Sequence, residues 1–242
     1  MAETMHASSL PYGMKMKRYL FVFIISVSPL ILKSQTLNGM SGLLNIPSAD
    51  MQADGTFIMG ANYLPEINQP TLGYNTGNYY FNLTFLPFLE VAYKLTILKM
   101  EQTGTYNQDR SFSVRLRLLK EKGCLPSATI GVHDIYSSSG KNVQYFSATY
   151  IVFTKHFNLK RTVIGVTSGY GTDKLVKSQF VGLFGGLSLA HSDFKPLTLM
   201  ADYDCKGINL GGSLLLFNHL YLLSMYQHLK YFTGGIAYRI YL

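Results

Sequence analysis

The sequence predicts an all-β chain: an antiparallel transmembrane up-and-down β-barrel of about 12 strands, preceded by a cleavable signal peptide. Three observations carry that expectation. They are an export leader, a composition too poor in charge for a surface solvated by water, and period-two alternation in segments of roughly 10 residues.

The leader comes first in the chain. Lys15, Lys17 and Arg18 precede an apolar run from Tyr19 to Leu32, the layout of a secretory signal. The run is shorter than the roughly 20 residues a helix needs to cross a bilayer, which disfavours a retained anchor. Ser34 supplies a small residue at the cleavage position, so residues 1–34 are read as the signal peptide. Met1–Gly13 has no structural pattern, and Met14 or Met16 is the more natural start.

Removing residues 1–34 takes four of the 21 basic residues and one of the 13 acidic ones, leaving an excess of +5. No run of Lys or Arg interleaved with aromatics accompanies that excess, so nucleic acid is not an expected partner. The charged fraction is 14%, against about 25% in ordinary soluble domains. The chain carries 18 Tyr, 15 Phe and 22 Gly but no Trp. Lipid must therefore solvate it, with Tyr and Phe forming the aromatic girdles at the two interfaces.

Alternation is clearest in 88–98. Leu89, Val91, Tyr93, Leu95 and Ile97 share one face, and Glu90, Ala92, Lys94 and Thr96 the other. In 111–118, Phe112, Val114, Leu116 and Leu118 oppose Ser111, Ser113, Arg115 and Arg117. Two arginines would rarely face the core of a soluble sheet, so apolar residues are assigned to lipid and polar ones to the lumen. The same rule places the strands near 55–64, 77–86, 88–98, 110–119, 126–136, 143–155, 159–170, 178–190, 195–204, 206–216, 220–229 and 231–241. The total, 12, is even, as bacterial barrels require.

Connections and termini follow. Pro65–Thr76 and Lys99–Asp109 are long, the break at Leu86-Pro87 is tight, and 120–125 is intermediate, with Tyr170–Gln179 the last substantial loop. Odd-numbered connections are therefore placed outside the cell. Thr233, Gly235, Tyr238 and Ile240 have the spacing of a C-terminal signal for barrel-assembly machinery. Residues 55–242 form the barrel. Residues 35–54, rich in Gly and Pro, form a turning segment that either plugs the periplasmic mouth, presents a docking surface or leads plainly into the first strand.

The two cysteines of an exported chain invite a disulfide, but Cys124 falls in a predicted periplasmic turn and Cys205 in an extracellular one. A bilayer band lies between them, so both are expected to be free. No HExxH, P-loop, GxSxG or paired CxxC occurs, and no metal or cofactor site is read. The lumen-lining candidates are Glu90, Lys94, Arg115, Arg117, His133, Asp202, Asp204, Lys206 and Arg239. Both signs are present, so they can pair across an interior that either conducts or is closed. Asp202, Asp204 and His228 are the group that could activate water at the extracellular rim. No nucleophile accompanies them, and solvated lumen charges explain them without chemistry, so the chain is read as no enzyme.

Segment 39–60 opens Gly39-Met-Ser-Gly42-Leu43-Leu44-Asn-Ile-Pro47 and passes through Gly55. It resembles the opening motif of the YjbH family, outer-membrane proteins linked to exopolysaccharide production. The likeness continues at Ile130-Gly131 with Asp134-Ile135, at Tyr150–Lys155, at Gly169-Tyr-Gly171, at Phe184-Gly-Gly186, and at Asp202-Tyr203-Asp204 with Asn209. The family usually has Glu where Asp202 stands, and its familiar members are longer lipoproteins, whereas no lipobox cysteine is seen here. The resemblance implies a non-enzymatic barrel of the cell outer membrane that assists export, assembly or surface organisation of exopolysaccharide. Its implied partners are outer-membrane lipid, barrel-assembly machinery and polysaccharide export or biosynthesis proteins. A small diffusion or solute-specific pore is the alternative, and a barrel hydrolase acting on lipid or glycan stands behind it.

Overall fold

In the computed structural model, which describes residues 34–68, 73–99, 106–137, 146–174 and 180–242, each strand pairs with its sequence neighbours. The strands are β1 (Thr56–Leu64), β2 (Thr76–Phe85), β3 (Leu89–Lys99), β4 (Tyr106–Leu119), β5 (Ser127–Ser137) and β6 (Ala148–Leu159). They continue with β7 (Thr162–Thr172), β8 (Gly182–His191), β9 (Leu197–Tyr203), β10 (Ile208–Leu216), β11 (Leu220–Gln227) and β12 (Tyr231–Tyr241). β12 returns to pair antiparallel with β1, from Thr56↔Tyr241 to Tyr63↔Gly234, and the sheet closes.

The side-chain period puts opposite chemistries on the two faces of this wall. In β3, Glu90, Ala92, Lys94, Thr96 and Leu98 are buried while their neighbours are partly or fully exposed. Exposed side chains are the large apolar ones, an inversion of a water-soluble protein that requires an apolar solvent. Tyr63, Tyr79, Tyr106, Tyr136, Tyr170, Tyr203 and Tyr226 are exposed near the end that carries the longer loops. Phe85, Phe88, Phe157, Phe194 and Phe217 are exposed near the end that carries the termini. Exceptions are Phe232 at the loop end and Tyr238 and Tyr241 at the termini end, so both ends carry exposed aromatics of both kinds.

All 12 strands lie where alternation places them, with shifted bounds. The largest shift is in β6, which starts at Ala148 instead of 143. Phe146 and Ser147 are both buried, so this stretch folds over the lumen instead of extending the wall; residues 143–145 lie outside the described part. β4 and β5 slip register between Phe112 and Val114, and Asp134 takes a left-handed φ of 49°. This bulge turns two consecutive residues, His133 and Asp134, into the interior.

No helix among the described residues is long and apolar enough to cross a membrane, which says nothing about strands. Both cysteines are free, Cys124 exposed in the β4–β5 turn and Cys205 in the β9–β10 turn at the other end.

Candidate functional site

The lumen of the barrel is occupied by the chain's own N-terminal segment. Residues 34–49 are buried throughout, with Leu37, Met40, Leu44 and Ile46 at 0% exposure. Within the 35–54 segment, residues 35–49 lie inside the wall, while Ala53 and Asp54 are exposed. The segment doubles back on itself through bridges Gln35↔Ser41 and Gly42↔Pro47. Gly39 is required at its first turn. Its φ is 81°, and a Cβ would lie 2.4 Å from the Tyr80 ring.

A compact non-sheet segment leaves backbone groups to satisfy, and the wall's polar side chains satisfy them. Near the loop end, Asn62 and Asn78 each donate to the Leu37 carbonyl, at 2.8 and 2.9 Å. Asn82 donates to the Gly39 carbonyl at 2.8 Å. Asp202 Oδ2 accepts from three consecutive plug amides, Leu44 (3.0 Å), Asn45 (2.9 Å) and Ile46 (3.3 Å). Successive N–H groups converging on one oxygen make an anion nest, here filled by the wall's own carboxylate.

Asp204 extends this anchor. It accepts from the Asn45 side chain at 2.6 Å and from the backbone N–H groups of Lys206 and Gly207. The Asn209 amide donates to both carboxylates, and His228 Nε2 lies 3.1 Å from Asp204. Burial alone would push the Asp204 carboxyl up, but the Asn209 and Asn45 hydrogen bonds and the nearby His228 hold it below its ordinary value.

Nearer the termini end the plug is held by charge. Arg115 donates to the carbonyls of Ser41, Ser48 and Asp50. It pairs with Glu90 at 3.3 Å, both side chains at 0% exposure, and Glu90 accepts from the Ser41 N–H at 2.8 Å. Lys94 pairs with Asp134 at 2.9 Å, donates to Asn38, and sits 4.3 Å from the centre of the Phe146 ring. At the rim, His156 lies between Asp50 of the plug (3.5 Å) and Glu121 of the β4–β5 turn (2.7 Å). Burial raises the Glu121 carboxyl, and hydrogen bonds from Lys155 and His156 bring it below its ordinary value.

Further side-chain contacts lie at the loop end. Asn68, in the short 3₁₀ turn Glu66–Asn68 after β1, exchanges two amide hydrogen bonds with Gln227 of β11, at 2.9 and 3.0 Å. Phe180 is buried against Phe184, which meets Tyr150 edge-on.

Seven of the nine lumen candidates, Glu90, Lys94, Arg115, His133, Asp202, Asp204 and Arg239, are buried on the inner face. His133 bonds the Tyr150 hydroxyl at 2.7 Å and serves as a packed partner. Arg117 lies at the rim and donates to the Pro87 carbonyl. Lys206 is exposed in the β9–β10 turn, outside the lumen, because Asp204 turns the chain there through its backbone contacts. Asp202, Asp204 and His228 do converge. The Asp204 oxygens are taken up by backbone, amide and imidazole donors, which leaves little capacity to act as a base. No group of three or more His, Cys, Asp or Glu among the described residues could hold a metal ion. Sequence reasoning missed Asn38, Asn62, Asn78, Asn82 and Asn45. The wall asparagines were visible as polar members of alternating strands, but their uncharged amides gave no reason to rank them.

A family model described as "Exopolysaccharide biosynthesis protein YbjH" matches residues 34–207, more than two-thirds of the chain, from the first plug residue to the β9–β10 turn. No protein of curated function matches. Among solved structures, the crystal structure of outer membrane protease OmpT from Escherichia coli aligns at 11% identity over 79% of this chain and 96% of that one, with a TM-score of 0.23. So slight a likeness bears on neither fold nor activity.

Proposed function

The chain belongs to the YjbH family of exopolysaccharide biosynthesis proteins, and from that premise we propose that it is a non-enzymatic outer-membrane barrel that assists export, assembly or surface organisation of exopolysaccharide. One observation carries the reading. The motif that opens the family resemblance begins inside the lumen, where residues 39–49 are buried before the chain reaches β1 at Thr56. A barrel that spends its interior on its own backbone offers partners its two rims, not a channel.

Orientation follows from the connections. The loops after β1, β5 and β7 are longer than the turns after β2, β6 and β10, the asymmetry of extracellular loops against periplasmic turns. The termini rim then faces the periplasm, where export or biosynthesis proteins would dock. The pore reading is supported less. Withdrawing Leu37, Met40, Leu44 and Ile46, each worth roughly 1.5–3 kcal/mol of burial, would cost on the order of 10 kcal/mol before any polar anchor is counted.

The test is fractionation followed by deletion. Recovery in the outer-membrane pool with a heat-modifiable band, together with loss or displacement of stained surface polysaccharide in the deletion strain, is the expected result. Recovery without detergent would sink the barrel reading; unchanged polysaccharide would sink the proposed role alone.

A further inference from the structure

We propose that the mature N-terminus is Gln35 cyclised to pyroglutamate, sealed inside the barrel. The inference rests on the reading of residues 1–34 as an export leader. Ser34 is already within the lumen at 4% exposure and Gln35 is at 0%.

Cleavage after Ser34 creates a problem that a Gln at position 35 can solve. A new ammonium at residue 35 would be buried, and no carboxylate is among its hydrogen-bond partners. The Gln35 N–H lies 3.0 Å from the Tyr221 hydroxyl, and its carbonyl accepts from the same hydroxyl at 3.2 Å. Arg239, itself cationic and buried, is within electrostatic reach of both Tyr80 and Tyr221. An uncompensated buried charge beside a like one is strongly disfavoured. Gln removes it without a co-reactant. The neutral α-amine attacks its own side-chain Cδ, a new C–N bond forms, the Cδ–Nε2 bond breaks, and ammonia departs with the amine's proton.

The site fits the product. Nε2, the atom that leaves, is buried with no hydrogen-bond partner. Oε1, which stays as the lactam carbonyl, accepts from the Tyr80 hydroxyl at 3.2 Å. The lactam keeps one N–H for Tyr221, and an uncharged amide replaces the one the peptidase cut. The Ser34 hydroxyl contact to Tyr221 goes with the leader.

The experiment is mass analysis of the full-length protein, expressed with its leader, purified from outer membranes and cleaved before aspartate. The expected N-terminal peptide runs from Gln35 to Ala49, is lighter than the encoded peptide by one ammonia, and resists stepwise N-terminal degradation. A peptide of the same residues with a free amine would overturn the cyclisation while leaving the leader reading intact. A peptide starting elsewhere, or retaining part of 1–34, would overturn both. Gln35→Ala leaves an amine that cannot cyclise, and its heat-modification midpoint should fall below that of the wild type; an unchanged midpoint would show that neutralising this terminus is unnecessary, against the argument.

Discussion

Asp202 Oδ2 lies 2.9 Å from the backbone nitrogen of Asn45, a contact between residues 157 positions apart in the chain. The wall and the plug meet there in a three-amide nest. Asp202→Ala removes the common acceptor of three buried donors, each costing about 1–3 kcal/mol when left unmade. The variant should show a lower heat-modification midpoint and cleavage between 39 and 50 by added protease. Protection equal to the wild type would mean that the nest does not hold the plug.

Conductance separates the plugged barrel from a pore. In planar bilayers the wild type should stay silent, whereas a variant lacking residues 39–50 should give steady channels. Channels from the wild type at low voltage would show that the lumen opens spontaneously.

Acid should loosen the loop-end anchor in a defined direction. The Asp204 carboxyl is held below its ordinary value of 3.8. A depressed carboxyl stabilises fully above the unfolded value, and that stabilisation is lost as pH falls through the lower folded one. Asp204→Asn should therefore be less stable than the wild type by a constant margin near neutrality, with the gap closing below about pH 3.8. A gap that persists into stronger acid would mean the charge of Asp204 contributes nothing.

Lys94 and Asp134 are both almost fully buried at 2.9 Å. Lys94→Met strands a carboxylate in the lumen, a loss of about 3–5 kcal/mol, whereas Lys94→Met with Asp134→Leu should recover most of it. Denaturant titration of both variants in detergent gives the comparison; equal losses would show that packing, not charge, is at stake.

The thiols report orientation. Cys124 is exposed at the termini end and Cys205 is partly covered at the loop end. Burial, then Asp204, raises the Cys205 thiol above its ordinary value, so it should alkylate slowly. A membrane-impermeant maleimide should label Cys124 only after the outer membrane is breached. Rapid labelling of Cys124 in intact cells would invert the proposed topology.

The wall was legible because a period of two writes burial directly into the sequence, as Glu90, Lys94 and Arg115 show by alternating with apolar neighbours. The plug was legible only as a turning segment. Its contacts join Leu37 to Asn62 and Asn78, Asn45 to Asp204, and Ser41 to Arg115. No local pattern records such pairings, because irregular backbone takes its partners from wherever the closed wall supplies them. The inward turn of Asp134 was hidden for a related reason, since a bulge breaks the very alternation used to assign faces.

The seam of the wall joins the first strand to the twelfth. Leu242 donates its N–H to the Gly55 carbonyl at 2.8 Å, so the strand that closes the wall is tied to the residue just before β1. Residues 34–49 lie buried inside the wall that this seam closes. The polar anchors Asn82 on β2, Glu90 on β3 and Arg115 on β4 grip the buried segment from the wall, so one closed ring of strands holds both the plug and the seam.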